Sequence, residues 1–68
     1  MRLVKYTQLG HRTITASVMA GNTVMWVCET ILRPAEHISV AVKRLSRLIK
    51  REFPQEKFDV SVPLDWLL

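Results

Sequence analysis

The chain has 68 residues, a net charge of +4 and 49% hydrophobic residues. A domain this short buries only about 60% of the surface that its unfolded form exposes, so disulfides, a metal or a partner chain are the usual aids to stability. The single cysteine, Cys28, excludes an intrachain disulfide, and His11, Cys28 and His37 lack the local spacing of a zinc site. A dimer or a complex is therefore the expected aid, and the lone thiol fits a reducing, cytoplasmic setting.

The first element is "RLVKYTQL", residues 2–9, which is rich in β-formers and reads as a strand. Gly10 and His11 break it. A second strand is predicted over 12–19, with Ile14, Ala16 and Val18 on one side and Thr13, Thr15, Ser17 and Met19 on the other. Gly21-Asn22 tolerates the positive φ of a tight turn, and the β-branched, aromatic "TVMWVCETI" makes a third strand over 23–31. The uncharged run from Thr13 to Cys28 is too short to span a bilayer. Its alternation marks it as a hairpin, so neither a leader peptide nor membrane association is expected.

Loop length sets the faces of this hairpin. A two-residue loop pairs Ala20 with Thr23 and places Glu29 on the apolar side. A three-residue loop pairs Met19 with Thr23, brings Val24, Trp26 and Cys28 to the core and leaves Glu29 outside. Burial of an unpaired carboxylate is costly, which favours the second register. The open face then shows Thr13, Thr15, Ser17 and Met19 beside Thr23, Met25, Val27 and Glu29.

A helix is predicted over 34–52, with Pro34 at its first position and Phe53-Pro54 at its end. Ala35, Ile38, Ala41, Val42, Leu45, Leu48 and Ile49 form its apolar stripe. "KFDVSV", residues 57–62, alternates as a fourth strand with Phe58, Val60 and Val62 inward, parallel to a neighbour across the helical connection. The expected fold is α+β: one domain over 1–68 in the order β-β-β-α-β, a hairpin-based antiparallel sheet with one amphipathic helix on one face. An apolar tail, "PLDWLL", occupies 63–68.

No pattern for catalysis is present. Two glycines cannot build a phosphate-cradling loop, and neither histidine lies near a candidate nucleophile in sequence. The expectation is a non-enzymatic binding protein without cofactor, metal or small-molecule substrate. Lys43, Arg44, Arg47, Lys50 and Arg51 crowd the outward side of the helix, a pattern suited to phosphate contacts on DNA or RNA. A regulatory, nucleic-acid-associated role is the leading reading. The alternative is a protein-interaction module, an inhibitor or adaptor of viral or mobile-element type, or a homodimer. It would bind through Met19, Met25 and Val27 on the open sheet face and through Trp66, Leu67 and Leu68 in the tail. The element order resembles that of small sheet-plus-helix DNA-binding modules and of small viral proteins that bind host machinery, a likeness of order alone.

Overall fold

A computed structural model describes residues 2–67, Leu67 by its backbone alone. Three long strands, β1 (Arg2–Leu9), β2 (Thr13–Ala20) and β3 (Thr23–Ile31), precede the helix α1 (Ile38–Glu52). A short strand, β4 (Asp59–Ser61), and a 3₁₀ turn (Leu64–Leu67) follow. The sheet order is β3-β2-β1-β4, with both hairpins antiparallel and β4 parallel to β1. This is the α+β fold read from the sequence, including the parallel return of the last strand.

Alternation decides which side of each strand is buried. Val4 and Tyr6 of β1, Ile14, Ala16 and Val18 of β2, and Ala41, Leu45 and Ile49 of α1 form the core. Spacing of four residues stacks those three helical side chains on one face. The helix packs over β3 and β2 rather than over β4. At the far end, Trp26, Phe53 and Phe58 make two successive edge-to-face contacts at 5.9 Å, closing the core towards β4. Arg2 lies over the Phe53 ring and pairs with Glu56.

The hairpin between β2 and β3 combines features of both registers. Ala20 pairs with Thr23 across a two-residue turn, and Gly21 takes a φ of 61°. The expected three-residue loop is thus corrected. A β-bulge follows at once: Met19 faces Val24, and Val18 faces Trp26, so Met25 is the extra residue. The bulge advances β3 by one residue and restores Trp26 and Cys28 to the core side, where they pack half-buried. Val24 moves the other way and lies on the open face, 52% exposed. Glu29 points outward opposite Thr15.

The helix begins four residues later than the sequence suggests. Pro34 and Ala35 are the central residues of a turn in which the Glu36 N–H donates to the Arg33 carbonyl at 3.1 Å. Ala35 has a φ of 64°, as the third position of a type II turn requires. His37 is the N-cap, its Nδ1 accepting the Ser39 N–H at 3.1 Å. Pro34 therefore stops the preceding segment instead of starting the helix. The fourth strand is also shorter than expected, and Val60 is 60% exposed at the edge of the sheet, since α1 packs mainly over β3 and β2. Leu48, at the border of the apolar stripe, is 37% exposed.

Candidate functional site

The outward side of α1 is basic for a simple geometric reason. Once Ala41, Leu45 and Ile49 face the sheet, positions 43, 47, 50 and 51 lie on the opposite side at 100° per residue. Lys43, Arg47, Lys50 and Arg51 are all exposed there. Glu52, at the C-terminal end, is the one acid within Ile38–Glu52. The two ion pairs among the described residues, Arg2–Glu56 and Arg44–Glu36, use none of these four cations. At about 1.5 Å per residue, the stripe from Lys43 to Arg51 is about 12 Å long.

Arg44 departs from the expected site. Its guanidinium turns towards β3 and donates to Thr30 Oγ1 at 2.9 Å, to the Ile31 carbonyl at 3.2 Å and to Glu36 Oε2 at 2.6 Å. Glu36 is held in turn by the Arg33 N–H at 2.8 Å. That backbone bond, and then the Arg44 charge, lower the Glu36 carboxyl below its ordinary range. Arg44 is a staple between the helix, the turn and the edge of the sheet.

The staple also bears on the edge strand. The Leu32 N–H donates to the Arg12 carbonyl at 2.6 Å, so by antiparallel alternation the backbone groups of Val27, Glu29 and Ile31 point away from β2. Arg44 occupies the Ile31 carbonyl, and the Met25 bulge interrupts the other end. Both devices blunt an exposed edge.

The second surface is the sheet face turned away from α1. Across β1, β2 and β3 it consists of four rows: Leu3–Met19–Val24, Lys5–Ser17–Val27, Thr7–Thr15–Glu29 and Leu9–Thr13–Ile31. Leu9, Val24, Val27 and Ile31 are each more than half exposed. Thr15 is only 8% exposed, and its hydroxyl is bonded to that of Thr7 at 2.6 Å. Met19 and Val27 thus lie on the expected face. Met25 is the bulge residue, 43% exposed.

The tail divides. Trp66 folds back against the core beside Ile38, Val42 and Val62, while Leu64 is 81% exposed. The side chain of Leu67 and all of Leu68 lie outside the described residues.

A cleft of about 270 Å³ opens between α1 and β4, lined by Val4, Tyr6, Ile49, Phe58 and Val60 with Ser46, Lys50 and Glu56. Its polar centre is the bond between the Tyr6 and Ser46 hydroxyls at 2.7 Å, with Ser46 also donating to the Val42 carbonyl. Burial raises the Tyr6 phenol above its ordinary value, partly offset by the Ser46 bond and reinforced by Cys28. Burial likewise raises the Cys28 thiol. A thiol held neutral is a poor nucleophile and a poor metal ligand. Among the described residues no three His, Cys, Asp or Glu side chains come together, and no helix is long and apolar enough to cross a membrane. Comparison with protein-family models, with curated proteins and with solved structures finds no match to this chain.

Proposed function

We propose that the protein binds the phosphate backbone of DNA or RNA through Lys43, Arg47, Lys50 and Arg51. The observation that carries this reading is the stripe itself: four exposed cations on one side of α1, none engaged in the ion pairs of the described residues. Four cations along about 12 Å of one helix side can reach successive phosphates, one for about every 3.4 Å of helix axis on each strand. The stripe has no Asn or Gln to read base edges. Recognition in this reading rests chiefly on charge and backbone shape, with Arg47 and Arg51 the side chains able to read guanine edges as well. Arg44 contributes by holding the helix in place, with three of its five N–H donors committed to Thr30, Ile31 and Glu36.

The test is binding of labelled duplex and single-stranded oligonucleotides at low salt. Arg47→Gln with Arg51→Gln lowers affinity roughly 10- to 100-fold, because two phosphate contacts and their released counterions are lost. Arg12→Gln, in the β1–β2 connection, changes it by less than about threefold. No binding by the wild-type chain at low salt would sink the proposal. So would a double variant indistinguishable from Arg12→Gln.

A further inference from the structure

The face opposite α1 is too apolar to be an ordinary solvated sheet surface, and nothing among the described residues covers it. We infer that a second copy of this chain covers it, the two sheets packing face to face about a two-fold axis that runs along β2. The inference goes beyond the nucleic-acid reading and does not depend on it.

Charge identifies the occupant. Asp59 of β4, beside Leu3, is a third charge on this side of the sheet but lies beyond the three strands that overlap; Lys5 and Glu29 are the only charged side chains that β1, β2 and β3 place there. They stand on the two outer strands of the three, one row apart, and neither takes part in the ion pairs of the described residues. A two-fold axis along β2 superposes β1 of each copy on β3 of the other. Each Lys5 then lands over Val27 of the second copy, one row from its Glu29. Two residues along a strand span about 7 Å, within reach of a lysine side chain. The surface is thus complementary to itself, as an isologous interface demands.

Shape agrees with charge. The same axis sets Leu3 on Val24 and Leu9 on Ile31, so the apolar ends of the face meet. Along the axis, β2 meets β2 through Thr13, Thr15, Ser17 and Met19. Three of these four side chains are small, which suits the roughly 10 Å spacing of packed sheets. The Thr15 hydroxyl already has its partner in Thr7 and loses nothing when water leaves. Three strands about 4.8 Å apart and about 25 Å long give roughly 400 Å² of projected surface per copy, before side-chain relief. The two copies together then bury roughly 800 Å², below the standard size of a stable interface, which predicts a weak, reversible dimer. Pairing through the β3 edge is disfavoured by the Met25 bulge and by Arg44 on the Ile31 carbonyl.

Sedimentation of the full chain over a concentration series tests this, with far-UV circular dichroism as the control for folding. The wild type shows a monomer–dimer equilibrium. Lys5→Glu and Glu29→Lys each weaken it by about tenfold, the cost of one unfavourable charge contact per site. The double exchange recovers most of the loss. Val27→Lys abolishes the dimer, and if that variant does not fold, Ile31→Lys at the rim reads the same surface. A wild type that stays monomeric throughout overturns the inference. A dimer unmoved by either lysine variant also overturns it, as does a double exchange no better than the single ones.

Discussion

At Ala35 a residue with a Cβ occupies left-handed backbone, φ 64°. That conformation costs a non-glycine residue about 1–2 kcal/mol, while glycine costs about 0.5–1 kcal/mol in unfolded-chain entropy. Ala35→Gly is therefore expected to stabilise the fold by about 0.5–1 kcal/mol in urea denaturation. Were residue 35 helical, as Pro34 and the helical periodicity suggest, the same change would cost about 1 kcal/mol. The sign of one measurement separates the two. Tyr6→Phe removes the hydroxyl bonded to Ser46 and is expected to cost about 1 kcal/mol. Alkaline pH acts on the same group. The folded-state values of Tyr6 and Cys28 are raised above their ordinary 10.0 and 9.0, so both stay neutral after their unfolded counterparts ionise. Their stabilisation is complete below pH 9 and falls away as pH rises through and beyond these values. A urea midpoint that does not decline from pH 8 to pH 11 would contradict the burial of both groups.

Elements were legible in the sequence where one periodicity dominates. β1 and β3 match the expected bounds, and β2 lies one residue later than expected. The α1 stripe buries Ala41, Leu45 and Ile49 as its spacing requires. Leu45→Ala, at a site with no exposure, is expected to cost about 2–5 kcal/mol, enough to unfold most of a domain this small. What escaped the sequence are features in which two local rules compete. Proline suits both the start of a helix and the second position of a turn, and the hydrogen bonds of Glu36 to Arg33 favour the turn. In the β2–β3 hairpin the alternation ties side-chain face to loop length, whereas the bulge at Met25 separates them. Deleting Met25 therefore leaves Ala20 opposite Thr23 and Val18 opposite Trp26. The variant should keep the wild-type Trp26 emission and lose the kink that blunts the edge. Faster aggregation on warming is the expected result. A red-shifted emission, reporting Trp26 turned to solvent, would show that the bulge does not set the register. Arg44 illustrates the same limit within the candidate site: helical spacing groups it with the other cations, but only packing brings Thr30 and Glu36 within its reach.

Over the whole molecule, charge is segregated by face. The helix side carries the four exposed cations, and the open sheet face carries one Lys and one Glu across its three long strands among apolar and hydroxyl side chains. In a face-to-face dimer the two helices would lie on opposite outer sides, their basic stripes pointing away from each other. One such dimer would hold two nucleic-acid segments. Beads coated with one duplex should then retain a second, labelled duplex in the presence of wild-type protein. Val27→Lys should bind a single duplex normally and lose this bridging, whereas Arg47→Gln with Arg51→Gln should lose both. The most direct measurement of the helix surface is the salt dependence of oligonucleotide affinity. Four phosphate contacts predict a slope of log K against log salt of about −3.6 on duplex DNA, reduced to about −1.8 when Arg47 and Arg51 are both replaced by Gln. Binding without a salt slope, or a slope unchanged by that double replacement, would contradict phosphate recognition by this helix.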